Sequence, residues 1–281
     1  MRQQSLTRRI FMNRLVGIIS GAVSLLFLFI LGWVLWEVIL RGSSALNWSF
    51  FTKLPTPPGM SGGGLANAIV GTLMMTVLAI LMGVPLGLFA GVYLAEFGGE
   101  GRFANVVRFT CNVLTGTPSI IIGMFVYALL VVPMRQFSGY AGAVALAILM
   151  VPVVTKTTED ILKLIPNELR ESALALAAPR WKMILGIVFR AAKSGLLTGI
   201  LLAIARISGE TAPLLFTALN SPYWPAGLKQ PTANLTVTIF NYAMSPYIDW
   251  QQKAWGASLL ITVSVLLITI FARFILKEAK K

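Results

Sequence analysis

The sequence predicts an all-α integral membrane protein with six transmembrane helices, and three observations carry that reading. Hydrophobic residues make up 57% of the 281-residue chain and its mean hydropathy is +0.80, above the roughly 45–50% apolar usage of soluble domains. Apolar runs long enough to cross a bilayer recur along nearly the whole length, at 15–40, 66–95, 106–132, 140–155, 195–219 and 254–276. The 23 Lys and Arg residues fall in clusters between those runs, as topology signals do, and form no continuous face of the kind that binds nucleic acid.

The first run follows Arg2, Arg8, Arg9 and Arg14. Its apolar stretch far exceeds the roughly 7–15 residues of a signal-peptide core, so an uncleaved anchor is expected, with 1–14 as a cytoplasmic N-terminal segment and 15–281 as one six-helix domain. The second run is rich in small and helix-breaking residues, Gly71, Gly83, Pro85, Gly87 and Gly91. These permit close helix packing, a hinge, or both, and Gly83 and Pro85 are the hinge candidates. The third contains Thr115-Gly116-Thr117-Pro118-Ser119, where proline breaks the backbone ladder and neighbouring hydroxyls satisfy the freed groups. Pro118 is a further hinge candidate, and Thr115, Thr117 and Ser119 either line a path or only support a kink.

The fifth run holds Arg206 and Glu210, four residues apart and expected on one helix face. A charge at membrane depth costs roughly 2.5–3.5 kcal/mol on insertion scales, so the pair should face protein or water. It reads either as an anion contact on a pathway or as an internal ion pair. Apart from Arg206, only Arg41, Lys53, Arg135, Lys229 and Lys253 among the basic residues fall on one side. The rest, ending with Arg273, Lys277, Lys280 and Lys281, fall on the other, which places both termini in the cytoplasm. The outer segments 41–65 and 220–253 carry Pro and Gly breakers and read as loops. The second also carries Tyr223, Trp224, Tyr242, Tyr247 and Trp250, suited to lipid headgroups or to a protein docking from outside.

There is no histidine and a single cysteine, Cys111. A disulfide framework, a multi-Cys metal site and His-based catalysis are therefore excluded, and no catalytic residue, metal site or bound cofactor is expected in this chain. The inner segment 156–193 is much longer than a helical hairpin needs. Pro166 is placed to open a helix of about twelve residues, Glu168 and Glu171 suit its N-terminal end, and Pro179 stops it. Leu162, Ile165, Leu169, Ala173 and Leu176 recur at helical spacing beside Arg170 and Glu171. A polar face of mixed sign fits a groove on a partner protein better than a membrane surface.

Glu171-Ser172-Ala173, then Ala177, and Ile187 sixteen residues after the Glu, resemble the EAA loop of ABC importer permeases. Ser172 stands where that pattern has Ala, Ala177 where it has Gly, and Phe189-Arg190 where it has Leu-Pro. Asn67 to Leu73, Gly83-Val84-Pro85-Leu86-Gly87, Tyr93-Leu94-Ala95-Glu96, Pro118-Ser119-Ile120 and Ala205 to Phe216 are similar to the phosphate-specific branch of that family. The resemblance implies the architecture of an ABC type I importer permease, with a cytoplasmic coupling helix, in the bacterial inner membrane. It also implies a heterodimeric pore shared with a paralogous permease, two copies of a cytoplasmic ATPase that bind ATP and Mg, and an outer phosphate-binding protein. Leu169, Arg170, Glu171, Ser172, Ala173, Leu176 and Ala177 become the ATPase-docking set. No Walker A pattern occurs. A permease for sulfate, molybdate or phosphonate, and a membrane scaffold that transports nothing, remain as alternatives.

Overall fold

The computed structural model describes residues 2–278, with side chains described from 8 to 274, and no strand occurs among them. The side chains of Arg2, Lys277, Lys280 and Lys281, counted above as cytoplasmic charges, lie outside that range. Helix α1 (Arg2–Ser43) runs unbroken into the first apolar stretch, so from Arg2 onward the expected N-terminal segment is part of the first helix. A short α2 (Trp48–Thr52), capped by the Asn47 side chain, lies in the segment 41–65, and α3 (Ala66–Val92) follows, extended by a π-turn at Tyr93–Phe97.

Next come α4 (Arg102–Gly116) and α5 (Ser119–Val126), which a π-turn (Tyr127–Val131) joins to the single turn α6 (Val132–Met134). Then α7 (Gly139–Lys163) leads to the isolated α8 (Asn167–Ala175). A turn of helix α9 (Arg180–Met183), a π-turn (Ile184–Val188) and α10 (Phe189–Ser208) form one long rod. The chain closes with α11 (Ala212–Thr217), α12 (Leu235–Ala243) and α13 (Ile248–Glu278).

Five helical stretches among the described residues are long and apolar enough to cross a bilayer: Arg8–Ser43, Ala66–Phe97, Gly139–Lys163, Arg180–Ser208 and Ile248–Phe274. The expected third span is instead a broken pair, Arg102–Gly116 and Ser119–Met134, bent by 106° where Thr117 and Pro118 both adopt extended backbone. Counted as one span, the pair supplies a sixth crossing. Arg108 on α4 meets Glu159 on α7, whereas Val126 and Val131 pack against Ala141 and Ala145. Fourteen to eighteen residues of α7 separate those levels, about 21–27 Å of rise against the roughly 30 Å of a hydrocarbon core.

Two further boundaries differ from expectation. The fourth span continues past Thr155 to Lys163, and the rod containing the fifth begins at Arg180, so the connection between helices is 164–179 instead of 156–193. Hydropathy ends at Thr155 because polar residues follow, yet Thr155, Thr158 and Glu159 are buried by neighbouring helices and the backbone ladder continues. The fifth span stops at Ser208, and Gly209–Thr211 breaks it before α11.

The core sits where α3, α7, α10 and α11 converge, around Met75, Leu146, Met150, Val154, Ile207 and Leu214. α3 lies against α7 along a glycine stripe. A Cβ at Gly87 would come 2.7 Å from Val154 Cβ, and one at Gly91 would come 2.5 Å from Thr158 Cβ. Backbones this close gain van der Waals contact, which drives helix association where lipid removes the hydrophobic term.

Candidate functional site

Helix α8 lies between two spans, against the start of the α9–α10 rod, and is built by its two boundaries. Pro166, at φ −56° and ψ 142°, occupies the N-cap and sets the turn out of α7, and Glu168 lies in the first turn. At the other end Ala177 takes φ 56° while the Ala177 and Ala178 amides donate to Leu174 O (2.9 Å) and Ala173 O (3.2 Å). This is a Schellman-type cap, whose left-handed position favours glycine. One of the residues that depart from the EAA pattern, Ala177, therefore occupies the one strained backbone position of the element.

The expected docking set divides between two faces. Leu169, Glu171, Ser172, Leu176 and Ala177 are exposed, with Leu176 84% accessible. Arg170 and Ala173 point inward. Ala173 is buried against Met183 and Ile184 at the start of the α9–α10 rod. The single stripe expected from Leu162 to Leu176 does not exist: Leu162 belongs to α7 and is buried with Val188, Ala192 and Leu196. Pro166 resets the helical phase between the two elements.

Arg170 turns away from the exposed face into a ring of acceptors. Its Nη2 donates to Glu96 Oε1 (2.8 Å) and Leu162 O (2.7 Å), and its Nε donates to both Glu96 oxygens (3.2 Å). Nη1 donates to Ile165 O (2.5 Å) and lies 3.4 Å from Asn167 Oδ1. The two side chains are only 15% and 5% accessible. Glu96 lies in the π-turn that ends α3, and Leu162 and Ile165 belong to the last turn of α7 and the bend after it, so one side chain holds α8 to both. Sequence reasoning missed Glu96 as a partner, although an acid closing the apolar run 66–95 was a usable signal.

A second cationic tie grips the same π-turn. Arg108 on α4 donates through Nη2 to Leu94 O (3.3 Å), through Nη1 to Gly99 O (2.8 Å), and through Nε to Glu159 Oε1 (2.8 Å). Lys163 also donates to Glu159 Oε1 (2.6 Å).

The path candidates lie away from α8. Arg206 is exposed on the last turn of α10, and Glu210 sits in the break after it, so the two do not share a helix face as expected. Neither makes an ion pair among the described residues. The break is stabilised from α12, whose Thr236 hydroxyl donates to Glu210 O (2.8 Å). The Thr115 and Thr117 hydroxyls donate to Cys111 O and Val113 O, each at 2.7 Å, and so satisfy carbonyls at the broken helix end; Ser119 opens α5. The helices that follow the two breaks, α5 and α11, pack together where Gly123 meets Pro213. Among the hinge candidates, Pro118 is the break itself. Pro85 is exposed inside a continuous α3, and Gly83 packs against Met150.

At the end remote from α8, the segments 41–65 and 220–253 line a half-open cavity of about 680 Å³, with Pro55, Pro58, Asn67, Asn220, Tyr223 and Trp250 among its walls. Trp250 stacks on Tyr242 (4.3 Å between centroids) and meets Tyr247 edge-on (5.6 Å). Three of the five expected outer aromatics thus pack on one another, and Tyr223 and Trp224 are exposed.

Comparison with known proteins adds a family and a set of relatives. Residues 83–278 match the family of the binding-protein-dependent transport system inner membrane component. The chain is 50% identical over 268 residues to the phosphate transport system permease protein PstA of Yersinia pestis, covering 95% of this chain and 91% of that one. It is 36% identical over 274 residues to the probable phosphate transport system permease protein PstA of Methanocaldococcus jannaschii, covering 97% and 96%. The fold is similar to a chain of the MetNI methionine ABC transporter in an inward-facing conformation, with TM-score 0.60 and 18% identity over 78% of this chain and 95% of that one. It is also similar to a chain of a bacterial ABC transporter involved in the import of the acidic polysaccharide alginate, with TM-score 0.58 and 17% identity over 92% and 96%.

Proposed function

The chain belongs to the binding-protein-dependent transport system inner membrane components, and from that premise we propose that it is the permease subunit of an ATP-driven phosphate importer. It forms half of the translocation pore with a paralogous permease. The exposed Leu169, Glu171, Ser172, Leu176 and Ala177 dock one of two copies of a cytoplasmic ATPase, which binds ATP and Mg; this chain catalyses nothing itself. An extracytoplasmic phosphate-binding protein delivers the anion at the end remote from α8, and both termini lie in the cytoplasm. The observation that carries the reading is the 50% identity with a phosphate permease over 95% of this chain. The exposed face at α8, which carries Leu169 and Leu176 beside Glu168 and Glu171, supports the docking role, since such an element suits a groove on a partner.

The transport step follows from charge and connectivity. ATP binding draws the two ATPases together, α8 carries that displacement into the spans, and the two permeases reorient around a central path. Arg206 makes a transient contact with the oxyanion: its guanidinium stays charged and offers forked donors to phosphate oxygens. Its exposure and its lack of an ion-pair partner among the described residues support that role. Glu210, one helical turn away in sequence, limits the affinity so that the anion is released. Thr115, Thr117 and Ser119 line the same path beside the 106° break.

The test is Arg206→Gln in an assembled complex. Loss of a charge-assisted contact lowers phosphate uptake by roughly tenfold or more while the ATPase still co-purifies. Unchanged uptake removes Arg206 from the path.

A further inference from the structure

Arg170 and Glu96 do something that neither docking nor an isolated ion pair requires. Docking needs exposed side chains, and these two are almost wholly enclosed. An isolated pair would leave the rest of the guanidinium to water, whereas here it also takes the carbonyls of Leu162 and Ile165. The π-turn that carries Glu96 is held from its other side by Arg108 through Leu94 O, and Arg108 in turn binds Glu159 on α7. A continuous chain of charged hydrogen bonds therefore runs from α8 through Arg170 and Glu96 to the π-turn, and through Arg108 to α4. Beyond α4 lies the break at Thr117 and Pro118.

The apolar anchor of α8 is a single buried residue, Ala173, packed with Met183 and Ile184 beside the partly buried Val92, Ile187 and Phe189. A displacement of α8 toward or away from the end of α3 loads the Arg170–Glu96 bonds, because they are its one ion pair among the described residues. A π-turn is a place where a helix has already given up its regular ladder, and such turns are frequent at functional sites.

We propose that Arg170 and Glu96 are a positioning pair that hands the movement of α8 to the π-turn Tyr93–Phe97, and through Arg108 to α4, so that ATP hydrolysis is coupled to reorientation of the path. The inference rests on α8 as the ATPase-docking element. Coupling is a difference between two states of a contiguous network, so its signature is a change in stimulated activity at constant assembly.

The experiment uses the complete transporter in lipid vesicles, with companion permease, ATPase and binding protein, and measures ATP hydrolysis with and without phosphate-loaded binding protein. Glu96→Gln keeps the size of the side chain and removes its charge; Arg170→Lys keeps the charge and removes the fork. In both, the ATPase remains at wild-type stoichiometry and unstimulated hydrolysis persists, while stimulation and phosphate uptake fall together by roughly tenfold or more. Normal stimulation in both variants overturns the proposal. Loss of the ATPase from the complex in both also overturns it, because the pair would then only shape the docking surface. If Glu96→Gln fails to accumulate in the membrane, Arg170→Lys decides. The docking premise is read separately from Leu169→Asp on the exposed face: a full complement of ATPase in that variant defeats the docking reading, whatever the pair does.

Discussion

Helices α1 and α7 invert the rule that the most apolar segment is the most buried. The apolar window of α1 is the most hydrophobic of the five continuous spans, and none of it is buried within this subunit. That of α7 is among the least hydrophobic of the five, and 67% of it is buried. The difference lies in residue size. α7 presents Ala141, Gly142, Ala143, Ala145 and Ala147 to its neighbours, whereas α1 presents Phe27, Leu28, Phe29, Trp33 and Trp36 outward. Lipid tails are as apolar as leucine, so bulky chains gain nothing by leaving them, while small residues let backbones approach. Hydropathy finds the spans of such a protein, and side-chain volume finds its core.

The largest effect that tests this contrast comes from charge. Glu159 on α7 is 8% accessible and serves both Arg108 and Lys163, whereas Glu37 on α1 is 30% accessible and pairs with the exposed Arg41. Removing the buried carboxylate leaves the partly exposed Arg108 and Lys163 without their shared acceptor, so Glu159→Ala destabilises by about 1–3 kcal/mol. Glu37→Ala costs about 0.5 kcal/mol or less. Thermal unfolding in detergent compares the two, and equal shifts would erase the distinction between the helices.

Packing supplies the next effect. Gly91→Leu forces a side chain into Thr158 and the Thr155 carbonyl, and overpacking of this kind costs roughly 1–3 kcal/mol. Gly21→Leu on α1, where an added Cβ would meet nothing within 4 Å, leaves unfolding of this subunit unchanged by the same measurement. The smallest effect has the opposite sign: Ala177→Gly relieves the left-handed cap of α8 and stabilises by roughly 1 kcal/mol. Hydrogen exchange at the amides of residues 177 and 178 measures it locally.

What is legible in the sequence follows from the same physics. Spans and connections are written in apolar runs and basic clusters, and Pro166 and Pro179 bracket α8 because proline acts on backbone conformation directly. The break after Ser208 is masked because the apolar run passes through it from 195 to 219, although Gly209 and Pro213, at the start of α11, mark it. Proline at 118 signals a kink, but the 106° angle depends on how α5 packs against α11 through Gly123 and Pro213. The inward turn of Arg170 escapes a stripe counted through Pro166, which treats Leu162 and Leu169 as members of one helix. Once the phase restarts at Asn167, Arg170 and Ala173 share the buried face and Leu169 leaves it.

The central claim, that this subunit serves a phosphate importer, is tested most directly by uptake of labelled phosphate at low external concentration in cells with and without the gene, with sulfate and molybdate as comparators. Selective loss of phosphate uptake, restored by the intact gene, is the predicted result. Loss of sulfate or molybdate uptake with phosphate unaffected, or no change in any anion, would contradict it.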